Sequence, residues 1–291
     1  MEINQRKPKP KWLKAGIPAG DNYFKIKQAL EKRNLSTICQ SAKCPNISEC
    51  WNNSHATFLI MGDTCTRNCT FCSVKSGTPQ PLDNLEPQRI LEMTEILGAK
   101  YVVITSVTRD DLEDGGSSHF ASIIKELKTH KPEVKIEVLI PDFKGNPRAL
   151  DTVLEAKPDV LNHNLETVHR LYPHVNRDPK NYDVSLQVLK YSKEKGFVTK
   201  SGIMVGIGET IEELKELFQD LRNNDVDLLT IGQYLQPTRQ NVPVEKFYTP
   251  DEFEELKNTA LSFGFSAVVS GPFVRSSYNA DHMARGAGVH L

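Results

Sequence analysis

All six cysteines of this 291-residue chain fall between Cys39 and Cys72, and none follows. Thiols used only for core packing would be scattered, so this confinement marks a site. Two groups stand out: Cys39, Cys44 and Cys50 with C-x4-C-x5-C spacing, and Cys65, Cys69 and Cys72 with C-x3-C-x2-C spacing. Disulfides need an oxidising compartment. The first residues carry Arg6, Lys7, Lys9, Lys11 and Lys14 against Glu2, with no apolar stretch of a secretory signal behind them. Pro8, Pro10 and Pro18 break any presequence helix, so an extended arm and a cytoplasmic location are expected. Metal or cluster ligation is the leading reading of the thiols.

Three thiolates on one tight loop are one ligand short of a closed zinc site, whereas a 4Fe-4S cluster with three protein ligands keeps one iron open to a substrate or cofactor. Phe71, beside Cys72, offers apolar cover for such a cluster or ordinary core packing. A zinc-stabilised binding module is the alternative on spacing alone. With 36 basic against 37 acidic side chains, a formal charge of −1 and no basic, aromatic stripe, nucleic acid is not an expected partner. No apolar run reaches the roughly 18 residues of a membrane span, so no membrane association is expected either.

Residues 1–55 lack strong strand patterns, hold a helix over 22–32, and form a separate N-terminal layer. Beyond them short apolar runs at 56–61, 101–105, 135–140, 160–161, 199–205 and 228–232 alternate with helical patterns at 86–97, 118–129, 148–156, 184–195, 211–223 and 250–263. Six such units fall short of the eight that close a barrel. The expected fold is therefore α/β, a partial (β/α)6 TIM-like barrel over 56–264 with N-terminal and C-terminal extensions. Its chemistry should sit on loops at the C-terminal ends of the strands. The segment 265–291, rich in Ser and Gly from Val268 onward, is expected to be a docking segment or a mobile end.

The run Cys65-Thr-Arg-Asn-Cys69-Thr-Phe-Cys72 resembles the signature of radical S-adenosylmethionine enzymes. Within that superfamily, Cys39 and the run Cys44-Pro-Asn-Ile-Ser-Glu-Cys50-Trp51 resemble the auxiliary cluster motif of the lipoyl synthase family. The resemblance extends from Lys9-Pro-Lys-Trp12 to Arg275-Ser-Ser-Tyr278, with one departure: Asn241 stands where the family often has His. It implies two 4Fe-4S clusters, S-adenosyl-L-methionine as cosubstrate, and a sulfurtransferase that inserts two sulfur atoms at carbons 6 and 8 of a protein-bound octanoyl-lysine. The auxiliary cluster would be the sacrificial sulfur source, and Ser277 its remaining ligand beneath a C-terminal segment folded over it. The implied partners are octanoylated lipoyl carrier domains, namely 2-oxoacid dehydrogenase acyltransferase subunits and the glycine cleavage H protein, together with an electron donor and iron-sulfur carrier proteins.

For S-adenosylmethionine itself, the loops after the second and fourth strands offer Thr105, Ser106, Asn164, Glu166 and Arg177. Hydroxyls and an amide suit an amino-acid moiety, Glu166 a ribose or ammonium, and Arg177 a carboxylate. Asp114-Gly115-Gly116 is either a backbone platform for the methionyl group or a plain turn. Gly206-Ile-Gly208-Glu209 fails as a dinucleotide loop because Ile211 occupies the third glycine position, but it resembles the superfamily's glycine motif against adenine. Lys200, beside Ser201, would hold a substrate carbonyl or lie on the rim.

Overall fold

Apolar runs become buried strands and amphipathic runs become helices over nearly the spans indicated by the sequence. The computed structural model describes residues 8–14, 16 and 18–290. These fall into two units, one drawn from Ala15–Arg67, Val74–Leu161 and His290–Leu291, the other from Met1–Lys14, Asn68–Ser73 and Asn162–Val289.

The first unit contains α1 (Asp21–Lys32), β1 (Ser36–Thr37), α2 (Ile38–Ser41), α3 (Ile47–Asn52), β2 (Thr57–Ile60), β3 (Thr64–Cys65) and β4 (Lys75–Ser76). It continues with α4 (Glu86–Leu97), β5 (Tyr101–Ser106), α5 (Ser117–His130), β6 (Lys135–Leu139), α6 (Pro147–Glu155) and β7 (Val160–Asn162). The sheet order is β1-β2-β5-β6-β7. The short β1 is antiparallel to β2, with Ser36 opposite Leu59, while β2, β5 and β6 run parallel. All four β2 residues are buried, as a parallel strand covered on both faces requires. Helix α4 begins with a proline in its first turn and stops at Gly98, whose φ of 58° a side chain would resist.

The second unit contains α7 (Lys180–Glu194), β8 (Val198–Val205), α8 (Ile211–Asn223), β9 (Leu228–Gln233), α9 (Pro250–Ser262), β10 (Ala267–Gly271) and α10 (Ala280–Arg285). Strands β8, β9 and β10 are parallel neighbours, with Lys200 and Ala267 both opposite Leu228. Helices α8 and α9 each start with a reciprocal capping box, Thr210 with Glu213 and Thr249 with Glu252. Their apolar faces pack Leu217, Phe218, Phe253 and Leu256 into a core shared with Tyr172, Ile203 and Ile231.

The chain is thus α/β, with six strand-then-helix units running in sequence from β2 to α9. Two expectations change. The segment beyond 265 supplies a further parallel strand, β10, and the short helix α10. Its apolar stretch is too short to announce a strand, and pairing with β9 is what orders it. In the N-terminal arm, Lys11–Leu13 makes one 3-10 turn that buries Leu13. Glu2, Arg6 and Lys7 lie outside the described residues. Among the described residues no helix is long and apolar enough to cross a membrane.

The turn after β10 lies against the inner strands because two glycines leave room. A Cβ on Gly232 would stand 2.2 Å from the Val274 carbonyl oxygen, and one on Gly202 would stand 2.9 Å from Ser276 Oγ. Gly232→Ala is expected to force the turn outward at a cost of about 2 kcal/mol, read as a Tm lower by roughly 4–8 °C. An unchanged Tm would mean that the turn moves aside freely.

Candidate active site

The thiols Cys39, Cys44 and Cys50 are carried by α2, α3 and the link between them. Thr37 caps α2 by accepting from Gln40 N, and Cys44 N then donates to Cys39 O at 2.9 Å, which folds the link back. Cys39 is buried, Cys44 and Cys50 are half-buried, and all six cysteines of the chain are free thiols. Burial pushes Cys39 up to about 11, helped by repulsion from Cys44. Burial pushes Cys50 up to about 12, with added repulsion from Cys39, Cys44 and Glu49. The three sulfurs are therefore close enough to oppose one another's ionisation. A bound cationic centre would supply the charge that lets all three become thiolates, and loading would release protons. Among the described residues no three His, Cys, Asp or Glu side chains converge on a single metal ion. A four-iron cubane takes each thiolate on a different iron and needs no such convergence.

Trp51 packs beside this triplet. Its ring is 0% exposed and stacked on Tyr23 at 5.1 Å, and its buried Nε1–H makes no hydrogen bond of ordinary geometry, though it bears on the Cys39 sulfur. A buried donor left unmade costs about 1–3 kcal/mol.

In the same unit Cys65 ends β3, and its sulfur accepts N–H groups of Arg67 at 3.4 Å and Thr108 at 3.3 Å. Arg67 is clamped by two carboxylates: Asp142 at 2.6 and 2.7 Å, and Asp110 at 2.8 and 3.0 Å. Burial works against the guanidinium charge, but these hydrogen bonds outweigh it and raise its pKa. The backbone leading here is turned at Met61 (φ 65°) and Gly62 (φ 94°), and Glu86 holds the turn by accepting Met61 N at 3.0 Å. At the end of β5, Thr105 Oγ1 donates to Leu139 O, whereas Ser106 Oγ is buried without a partner. Asp114 accepts from Gly116 N and Ser118 N and so caps α5, favouring the plain-turn reading of Asp114-Gly115-Gly116. Gly115 and Gly116 are required there by Phe143 and Met61, which a Cβ would strike.

In the second unit, Cys69 and Cys72 are joined by a turn in which Cys72 N donates to Cys69 O at 3.0 Å. Asn241 holds that turn. Its Nδ2 donates to both Thr70 O and Cys72 O at 2.9 Å, while its Oδ1 accepts from Thr238 N and Thr238 Oγ1. The departure from His thus keeps a donor on the cysteine turn and adds an acceptor for Thr238. Phe71 packs against the apolar core of this unit.

Asn164, Glu166 and Arg177 are brought together. Asn164 Nδ2 donates to Glu166 Oε1 at 3.2 Å and to Ser276 Oγ at 2.8 Å, and its buried Oδ1 has no partner. Glu166 keeps a narrow opening to solvent, but surrounding protein desolvates its carboxyl and raises its pKa, against the opposing pull of Arg177 and Asn164. Its φ of 69° is left-handed, a conformation costing about 1–2 kcal/mol. The Arg177 guanidinium lies 4.8 Å from the Tyr172 ring centroid. The unsatisfied Asn164 Oδ1 and the strained carboxylate are available to a ligand rich in polar groups. Gly206 has φ 99°, and its N–H, with those of Ile207 and Gly208, points at the Glu209 carboxylate at 2.6–3.1 Å. That nest is filled from within, so it is no phosphate cradle. Ser277 sits half-buried in a turn closed by Tyr278 N to Arg275 O. Lys200 is 0% exposed and so does not lie on a rim.

Sequence reasoning missed the Arg67–Asp110–Asp142 clamp and the role of Asn241, although the Thr-Arg-Asp-Asp run and the departure from His were both visible. Asn241→Asp sets a carboxylate against two carbonyl oxygens. It is expected to lower retention of iron at the Cys65, Cys69, Cys72 triplet several-fold after reconstitution, while Asn241→His retains most of it. Iron and sulfide assays on a chain with the other triplet replaced by Ala provide the measurement, and full retention in Asn241→Asp would remove this role.

Residues 59–221, more than half the chain, match the radical SAM superfamily model, and residues 1–44 match the N-terminal domain of lipoyl synthase of the radical SAM family. The lipoyl synthase of Caldicellulosiruptor saccharolyticus is 52% identical over 95% of this chain and 98% of its own length. That of Rubrobacter xylanophilus is 50% identical over 97% and 88% respectively. Among solved structures, methylornithine synthase shares the fold at TM-score 0.55 and 17% identity, covering 76% of this chain and 73% of that one. Streptococcus suis SuiB, solved bound to S-adenosylmethionine, shares it at TM-score 0.56 and 14% identity, with 84% of this chain spanning 54% of that longer protein. The chain belongs to the lipoyl synthase family, radical S-adenosylmethionine enzymes of the sulfurtransferase class.

Proposed function

We propose that this enzyme inserts sulfur at carbons 6 and 8 of an octanoyl-lysine on a lipoyl carrier domain, using one 4Fe-4S cluster to cleave S-adenosylmethionine and a second as the sulfur source. The observation that carries the reading is the close-set group of thiols Cys39, Cys44 and Cys50, which oppose one another's ionisation and are separate in sequence from the signature triplet. Cleavage of the sulfonium needs one cluster only, so a second ligand set has a second task. When bound, S-adenosylmethionine and its cluster supply the radical that takes hydrogen from an unactivated carbon.

The chain's own residues bind, orient and exclude. Cys65, Cys69 and Cys72 hold the first cluster with one iron left open. Asn164, Glu166 and Arg177 carry the polar contacts of the cosubstrate, with Thr105 and Ser106 at the end of β5 and Gly206 after β8 as further contacts. Ser277 serves as the hard, weak fourth ligand of the second cluster, a choice that favours loss of one iron. The domain reading that goes with it is an N-terminal extension over 1–55, the radical SAM region over 56–264 and a closing segment over 265–291. Octanoylated acyltransferase subunits or the glycine cleavage H protein, an electron donor and iron-sulfur carriers, met in the cytoplasm, complete the cycle.

Anaerobically reconstituted protein is expected to carry about eight irons per chain. Cys69→Ala should abolish 5′-deoxyadenosine formation. Cys44→Ala and Ser277→Ala should leave that formation largely intact and lose the lipoyl product on an octanoylated carrier. Iron near half the expected content in the intact chain, or normal lipoyl product from Cys44→Ala, would overturn the reading.

A further inference from the structure

The indole of Trp51 is held as firmly as any side chain in its unit. It is fully buried, stacked on Tyr23 at an interplanar angle of 28°, and its backbone carbonyl accepts Asn22 Nδ2 at 3.1 Å. Phenylalanine would fill most of the same space and make the same stack. What tryptophan adds is an Nε1–H, which makes no hydrogen bond of ordinary geometry within the chain but bears on the Cys39 sulfur. Buried donors without acceptors are rare in native interiors and call for an explanation. The residue follows Cys50 directly on α3, and its indole faces the sulfur of Cys39, whose thiolate it favours against the effect of burial.

We infer that Trp51 Nε1 donates a hydrogen bond to a sulfur of the cluster carried by Cys39, Cys44 and Cys50, and so acts as a positioning residue that sets the potential of that cluster. This rests on the two-cluster reading above. A donor to cluster sulfur stabilises the reduced, more negative state and raises the reduction potential. The charged groups acting on Cys50, namely Glu49 and the neighbouring thiols, all oppose negative charge there. The donor also withdraws electron density from the sulfur it meets, which slows loss of that sulfur relative to those without a donor.

The test uses the full chain with Cys65, Cys69 and Cys72 replaced by Ala, so that only the cluster in question is loaded. It is reconstituted anaerobically with Trp51 intact, as Trp51→Phe, and as Tyr23→Leu, and each form is titrated by EPR-monitored reduction. Trp51→Phe is expected to keep about four irons, to shift the midpoint potential to a more negative value, and to lose an exchangeable-proton coupling seen by pulsed EPR. Tyr23→Leu removes the stack and keeps the donor, so its potential should stay near that of the parent. If Trp51→Phe fails to load, benzothienylalanine at position 51, which replaces the N–H by sulfur in the same outline, takes its place with the same expectation. A loaded cluster whose potential and proton coupling are indifferent to the N–H overturns this inference alone, the donor then bonding to water. A chain with Trp51 intact that loads no cluster overturns the two-cluster reading and this inference with it.

Discussion

The guanidinium of Arg67, gripped by Asp110 and Asp142, is the interaction on which the geometry of the first unit's loops depends. Arg67 lies beyond β2, Asp110 beyond β5 and Asp142 beyond β6, so one cation ties together the loops at the C-terminal ends of three neighbouring parallel strands. The Asp142 side chain is 1% exposed and that of Arg67 22%, which puts both charges where water solvates them poorly. Removing Arg67 leaves the buried Asp142 carboxylate uncompensated, at about 3–5 kcal/mol. The planar fork matters as much as the charge, since a lysine could not meet both carboxylates in a bidentate manner. The same residue's backbone N–H faces the Cys65 sulfur, so the clamp and that sulfur are placed by one peptide.

The second thiol group is built on the opposite electrostatic principle. No arginine or lysine is prominent among the groups acting on Cys39 and Cys50, and burial and mutual repulsion push both thiols up. The polypeptide alone therefore holds them as neutral thiols at neutral pH. Ionisation is left to whatever centre binds there, and the strength with which sulfur is held is left to the ligands around it.

Local grammar made most of the fold legible. The capping residues Thr210 and Thr249, the proline in the first turn of α4 and Gly98 at its end set helix boundaries that the spacing of apolar residues already indicated. The cysteines were legible because both triplets are contiguous in sequence. The rest depended on pairing across long stretches of chain. Arg67 meets Asp142 across 75 positions and Asn241 meets Thr70 across 171, and no periodicity records such a meeting. Strand β10 was hidden for a related reason: its order comes from the register with β9 and from Gly232 admitting the following turn, neither of which is written in its own composition.

Where the chain can satisfy its own polar groups, it does so thoroughly. The Glu209 carboxylate takes up three successive backbone N–H groups, Asn241 uses both ends of its amide, and Gln233 bridges the carbonyls of Val205 and Lys246. Against that background, the side-chain atoms left without partners are informative. Ser106 Oγ lies at the end of β5, Asn164 Oδ1 and Thr167 Oγ1 just beyond β7, and Trp51 Nε1 beside the thiols; Arg222 Nε, near the Phe265 ring, stands apart. Glu166, strained and desolvated, sits between two of them in sequence. Folding alone gives no reason to keep a hydroxyl dry or a carboxylate in a left-handed turn, since alanine or glycine would relieve either. The cost is concentrated at and just beyond the C-terminal ends of β5 and β7, the strand ends where parallel α/β folds place their chemistry.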